Sequence, residues 1–188
     1  MSKVVFKNTI KKYTKHIIDP EEKKTVEILL DNIENNKDFF VRKKVSGKID
    51  IAASVLLLSE DLENGLFLFH KKIQKWTMPG GHADGETDLH KVALTELKEE
   101  VGVTIEQKKG ILPVFTYKFD YSPEVFGYKK SIINLFYIET CPVSQIPKIM
   151  EPDKCEELRW MSVEEVKKLA KKNNYKSYLR LAEVWDSM

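Results

Sequence analysis

Gly80-Gly81-His82-Ala83-Asp84-Gly85-Glu86, continued by Thr87 to Val103, sets a glycine-rich loop directly before a helical segment ending Glu96-Leu97-Lys98-Glu99-Glu100-Val101-Gly102-Val103. Successive residues on a helix turn by about 100°. With Leu89 at zero, Glu99, Glu96 and Glu100 stand at about 280°, 340° and 20°, which makes one acidic stripe. Val92, Ala93, Leu97, Val101 and Leu94 fill an arc from about 300° round to 140°, overlapping that stripe at one edge. The spacing therefore predicts a helix that buries one face and carries three carboxylates at its border. Carboxylates crowded on a partly desolvated surface repel, and a cation removes that cost. Oxygen ligands suit a hard ion, Mg²⁺ or Mn²⁺. A solvated acidic face is the simpler account of helical glutamates taken alone. The glycine loop argues against it, because glycines let backbone approach a ligand closely and helix N-termini attract phosphate.

The run Gly81 to Val103 resembles a Nudix box, the signature of MutT-like hydrolases acting on nucleoside diphosphates linked to another moiety. That pattern reads Gly, five residues, Glu, seven residues, then Arg-Glu-apolar-any-Glu-Glu-any-Gly-apolar. Gly81, Glu96, Leu97, Glu99, Glu100, Gly102 and Val103 match it, while Thr87 stands at the first Glu and Thr95 at the Arg. Glu86 lies one residue before that first Glu position. The resemblance implies an α/β/α sandwich around a mixed β-sheet over about residues 49–172. It implies metal ligation by Glu96, Glu99 and Glu100, with a backbone oxygen from Gly80 or Gly81. Glu99 and Glu100 are the expected catalytic residues, since a glutamate not fully engaged by metal can orient or deprotonate the attacking water. Family members often draw a base from a distant loop, and Glu151, Glu156 and Glu157 are the candidates, each otherwise a plain surface carboxylate.

Four positions around the loop are candidate substrate contacts: Gly80, His82, Glu86 and Trp76. His82 follows the glycine pair and can touch a phosphate, although a turn histidine is also an ordinary surface residue. Trp76, Tyr117, Phe119 and Tyr121 can stack on a nucleobase, and core packing explains the last three equally well. The resemblance makes the expected activity Mg²⁺-dependent hydrolysis of the diphosphate bond in a nucleoside diphosphate derivative, a small-molecule partner. Thr87 and Thr95 keep open an alternative, a Nudix-like nucleotide-binding or regulatory module with little catalysis. Diphosphate isomerisation on the same fold ranks last, since neither Cys141 nor Cys155 has the setting of an active-site thiol.

The totals fit these readings. A chain of 188 residues with 42% hydrophobic and 32% charged residues is long enough for one well-buried core. Its net charge of +2 gives no argument for nucleic acid or membrane binding. Two cysteines without a CxxC spacing, and no apolar stretch of membrane-spanning length, lead to the expectation of a cytoplasmic protein without a signal peptide. A homodimer is left open.

Residues 1–48 read as an N-terminal helical extension and residues 49–188 as the hydrolase-like domain with C-terminal helices. In the extension, Val4, Val5, Ile10, Tyr13, Ile17 and Ile18 recur at loose helical spacing, and Asp19-Pro20-Glu21-Glu22 is a helix start. Val26, Leu29, Leu30 and Ile33 mark that helix's apolar face, and Phe39, Phe40 and Val41 are expected to plug it onto the main body. Residues 51–58 and 66–70 read as a strand hairpin, 114–121 and 131–139 as a longer hairpin across a turn at 122–127, and 157–161 as a short strand. Ser162-Val163-Glu164-Glu165 is a capping box opening a helix to about Lys172, and a last helix covers roughly 177–185.

Overall fold

Residues 49–58 are apolar at almost every position, a composition that suits a strand covered on both faces. In the computed structural model, which describes residues 1–42 and 45–188, this run is the central strand β1, Ile49–Leu58, buried from Asp50 to its end. Before it come two helices, α1 (Lys3–Thr14) and α2 (Pro20–Asn35). After it come β2 (Asn64–His70), β3 (Lys75–Thr77), β4 (Gly80–His82), α3 (Leu89–Val101) and β5 (Phe115–Tyr121). A short α4 (Pro123–Phe126), β6 (Lys130–Thr140), β7 (Cys155–Ser162), α5 (Val163–Asn173) and α6 (Lys176–Asp186) complete the order.

Hydrogen bonding links the strands in the order β3-β2-β1-β6-β5, with β4 pairing β1 and β7 pairing β2. Asp50 touches Lys130, and Ser54 touches Asn134. The contacts recur four residues on in the same direction along each strand, which marks β1 and β6 as parallel neighbours. The other pairings are antiparallel. The result is the mixed sheet with flanking helices, of α/β class, that the element order called for. Strand β5 lies at the edge, where Pro113 just before it interrupts no inner ladder.

By contact density the chain forms two units, Met1–Ser54 with Gly80–Glu96 and Glu106–Tyr137, and Val55–Pro79 with Leu97–Ile105 and Ile138–Met188. In the first, Asp19 caps α2 by accepting from the Glu22 N–H at 2.7 Å, and Pro20 occupies its first turn. Val26, Leu29 and Ile33 are buried on that helix. The buried face of α1 is Phe6, Ile10 and Tyr13, continued by Ile17. Val4, Val5 and Ile18 are exposed, because the i, i+4, i+7 series starts at Phe6 and leaves them on the outer face. Phe39 and Phe40 do anchor the segment, with Phe40 meeting Phe6 edge-on at 5.2 Å, whereas Val41 faces solvent.

Glu22, 5% exposed, ties this pair of helices to the sheet. Its Oε1 accepts from the Thr116 N–H at 2.7 Å and from the Tyr13 hydroxyl. The carboxylate thus reaches an edge-strand donor that β6 does not use. The expected turn at 122–127 is a helical turn instead, closed by Gly127 at φ +79°. In the second unit β7 pairs along β2 from Asn64↔Ser162 to His70↔Cys155. Ser162 and Glu165 form the reciprocal capping box of α5. Trp185 on α6 donates from its indole to the Leu62 carbonyl at 2.9 Å. Among the described residues no helix is long and apolar enough to cross a membrane.

Candidate active site

The first two glycines of the loop are not slack. Gly80, Gly81 and His82 pair with Ser54, Ala53 and Ala52 of β1, so what reads as a loop contains a short strand. A Cβ on Gly80 would lie 2.2 Å from the Ser54 Oγ and 2.5 Å from the Ala53 carbonyl oxygen. A Cβ on Gly81 would lie 1.9 Å from Glu96 Oε1 and 2.3 Å from Glu96 Cδ. The Glu96 carboxylate therefore rests against the bare Cα of Gly81, a position that a larger residue would close. This is the reason for glycine at that point.

Helix α3 carries the three glutamates in graded exposure. Glu96 is half-buried, Glu99 exposed and Glu100 8% exposed. Gly102 ends the helix at φ +74°, a conformation that suits glycine. In the second unit the loop before β7 is fixed to the helix end, with Lys148 N–H donating to the Val101 carbonyl at 3.1 Å and Met150 N–H to the Glu100 carbonyl at 2.9 Å. Glu151 follows immediately. Its Oε1 pairs with Lys154 at 2.7 Å, while its Oε2 is buried and has no hydrogen-bond partner among the described residues. Burial pushes the Cys155 thiol up to about 11, and the charges of Glu100 and Glu151 add to the effect. Both carboxylates thus act on the same spot.

Among the described residues no group of three His, Cys, Asp or Glu is gathered into a ready cation cage. The carboxylates are nevertheless hard oxygen donors of the kind a divalent ion takes: in the first unit Glu96 is seated on the Gly81 cradle, and in the second Glu151 has an orphaned oxygen.

Glu86 has a different setting. Its Oε1 accepts from the Thr87 and Asp88 N–H groups at 2.7 and 2.9 Å, and its Oε2 holds Lys91 at 2.7 Å. The Lys91 hydrogen bond, followed by the backbone donors, brings its carboxyl down to about 2. Glu86 secures the start of α3. Thr87 donates its hydroxyl to the Met1 carbonyl and Gly85 donates its N–H to the Phe40 carbonyl at 2.8 Å, so residues before β1 brace this loop. Thr95 is exposed.

His82 lies beside a buried pair that composition alone does not reveal. Lys130 and Asp50, with side chains 1% and 4% exposed, pair at 3.1 Å, and the Lys130 ammonium stands 2.9 Å from His82 Nε2. Burial first, then Lys130 and Arg42, lower the His82 imidazole to about 4, against the opposing pull of Asp50. The ring is neutral at physiological pH, so its 3.6 Å approach to Asp50 is not an ion pair. Nε2 accepts from Lys130, which leaves the ring proton on Nδ1. Local spacing does not single out Lys130 and Asp50, whose one signal in the sequence is a charge at the mouth of an otherwise apolar strand.

The remaining candidates lie apart. Trp76, half-buried on β3, meets Phe69 edge-on at 5.4 Å, and its carbonyl accepts the Tyr178 hydroxyl. Glu156 and Glu157 are exposed on β7. Of the three distant carboxylates, only Glu151 has a buried oxygen without a partner.

Residues 48–181 match the family model of the NUDIX domain. Solved structures share the fold at low identity. A C. elegans Ap4A hydrolase binary complex is 21% identical with a TM-score of 0.53, over 73% of this chain and 96% of that one. A NUDIX-family hydrolase from Clostridium perfringens is 20% identical at 0.53, over 73% and 96%. A NUDIX hydrolase from Nitrosomonas europaea is 12% identical at 0.57, over 74% and 90%. With the domain match covering most of its length, the chain belongs to the Nudix family of hydrolases.

Proposed function

We propose that the protein is a Mg²⁺- or Mn²⁺-dependent pyrophosphohydrolase of a nucleoside diphosphate linked to another moiety. The observation that carries this reading is the Glu96 carboxylate seated on Gly81, on the helix that also bears the buried Glu100. Such a glycine serves a carboxylate held in one place, which a solvated acidic face does not need. Glu96 with the Gly81 carbonyl in the first unit, and Glu100 with Glu151 in the second, are each suited to ligate a divalent ion. A bound divalent ion supplies charge neutralisation of the phosphoryl oxygens and a lowered pKa for water. Glu99, exposed on the same helix, is free of burial and suited to take a proton from the attacking water, with Glu100 as the other candidate. His82, neutral and carrying its proton on Nδ1, donates a hydrogen bond without requiring protonation. Residues 1–48 act as an extension that braces the loop of a hydrolase domain over residues 49–188.

Replacing Glu100 with Gln keeps the shape and removes the charge. Mg²⁺-dependent phosphate release is expected to drop by about 10² or more, with the fold intact. The substrate is found by a screen across sugar nucleotides, oxidised nucleotides, capped RNA and dinucleoside polyphosphates, the last because one similar fold is an Ap4A hydrolase. Wild-type turnover retained by E100Q would refute the reading. A second reading, nucleotide binding with little catalysis, draws on Glu86 and Thr87. Both are engaged at the start of α3 and by the N-terminal segment. Tight nucleotide binding with no hydrolysis anywhere in the screen would favour it.

A further inference from the structure

Directly opposed residues in an antiparallel ladder share a face, and so do alternate residues along a strand. Tyr117↔Asn134, Phe119↔Ile132 and Tyr121↔Lys130 therefore stand on one face of the β5–β6 ladder. The Asn134–Ser54 and Lys130–Asp50 contacts extend that face onto β1, and Ser54↔Gly80 and Ala52↔His82 carry it to β4. All of it lies within the first unit. The face has two polar rows. One is Lys130, Asp50 and His82. The other is Asn134 and Ser54, ending on Gly80, whose missing side chain makes room for the Ser54 hydroxyl. Four residues of strand separate the rows along β6, about 13 Å.

Asn134 is the unusual member. It interrupts the apolar run Ile132-Ile133-Asn134-Leu135-Phe136 and is 7% exposed. Its Nδ2 donates to Ser54 Oγ at 2.9 Å, while its Oδ1 is buried with no hydrogen-bond partner among the described residues. A buried carbonyl oxygen without a donor is unfavourable, and a strand gains nothing from it that leucine would not supply. Beside it runs an aromatic wall: Tyr117, Phe119 and Tyr121 are all half-buried, with Tyr117 and Phe119 ring centroids 5.0 Å apart and Phe119 and Tyr121 6.2 Å apart. A flat aromatic ligand with a hydrogen-bond donor on its edge meets both requirements.

We infer that this face binds the nucleobase of the substrate and that Asn134 reads an adenine edge, through Oδ1 accepting from the exocyclic amine and the second Nδ2 hydrogen donating to the neighbouring ring nitrogen. Ser54 fixes the amide by taking the first Nδ2 hydrogen, so the side chain presents one acceptor and one donor side by side. That pair is complementary to adenine N6 and N7. Hypoxanthine, which has an oxygen in place of the amine, sets acceptor against acceptor. Tyr117, the cross-strand partner of Asn134 and half-buried, is the ring placed to stack on that base. The inference rests on the nucleotide-hydrolase reading for the identity of the ligand, not for its geometry.

The test uses the full chain and the adenosine and inosine 5′-diphosphates, titrated by calorimetry with Mg²⁺. Wild type is expected to bind the adenosine compound about tenfold more tightly or better, as for a matched pair of hydrogen bonds. Asn134→Leu should bring the ratio below threefold. Tyr117→Leu should weaken both ligands equally and keep the ratio, which a merely structural role for Asn134 does not predict. Thermal melting reports whether Asn134→Leu folds, and Ser54→Ala, which unfixes the amide, replaces it if not, with the same expected loss of ratio. A wild-type ratio below threefold, no binding of either compound, or an undiminished ratio in the folded variant overturns the inference. Preferential adenine binding without turnover of any substrate leaves it standing and removes the hydrolase reading. Turnover without base preference does the reverse.

Discussion

Gly81→Ala separates the site from the scaffold. The added Cβ would lie 1.9 Å from Glu96 Oε1 where ordinary contact begins near 3.4 Å, so the carboxylate must retreat by about 1.5 Å. What moves is the far end of a flexible side chain, so the fold is little disturbed. Alanine in a strand is itself favoured over glycine by about 0.5–1 kcal/mol. Stability should therefore stay level or rise, whereas a displacement of about 1 Å in a positioned catalytic group costs on the order of 10²-fold in rate, or about 2.7 kcal/mol of transition-state stabilisation. The neighbouring Gly80→Ala is the control. Its Cβ would meet the Ala53 carbonyl at 2.5 Å and Ser54 Cα at 2.8 Å, and these backbone atoms cannot retreat alone. Overpacking of that kind costs about 1–3 kcal/mol, a fall in melting temperature of roughly 2–12 °C at this size. Melting curves with Mg²⁺-dependent kcat and apparent Mg²⁺ affinity decide the matter. Gly81→Ala turnover within threefold of wild type, in a protein that melts normally, would refute the placement of Glu96 as a working ligand.

Three further outcomes follow from the same geometry. Glu22→Ala leaves the Thr116 N–H and Tyr13 hydroxyl without their buried acceptor and should destabilise by about 2–4 kcal/mol, read from urea unfolding, with Glu22→Gln milder. His82 has a folded pKa near 4, below its usual 6.5, so the unfolded chain binds the extra proton between these values. Stability should then rise with pH through that window, by about 3 kcal/mol at most, and His82→Asn should flatten the slope in melting experiments across pH 4 to 7. Glu151→Gln replaces the orphaned oxygen with an uncharged amide. It should raise the Mg²⁺ concentration needed for half-maximal turnover roughly tenfold, with little change in melting temperature.

Local spacing made the acidic helix α3 legible. The glutamate phases, the cap at Asp19, the capping box at Ser162 and the stop at Gly102 all depend on neighbours within a turn or so, and each lies where the spacing puts it. The same is true of the apolar run that became β1. Misjudged positions were matters of phase, as with Val4, Val5 and Val41, where a shift of one residue turns a side chain from core to solvent.

The second polar surface was not legible, because it depends on which strands are neighbours and in what register. Lys130 and Asn134 acquire meaning only when β6 lies parallel to β1 and brings them to Asp50 and Ser54, 80 residues earlier in the chain. Glu22 likewise becomes a clasp only when the edge strand offers it the Thr116 N–H. By itself the sequence determined the longer elements, the family and the acidic stripe, since helix periodicity and box spacing are properties of consecutive residues, whereas β3, β4 and α4 are too short to leave such a pattern. Only the tertiary structure decided that Glu100 is the buried glutamate of that stripe, that Glu96 rests on Gly81, and that the Asn134 Oδ1 has no donor among the described residues. These are outcomes of packing between segments distant in the chain, and no local pattern encodes them.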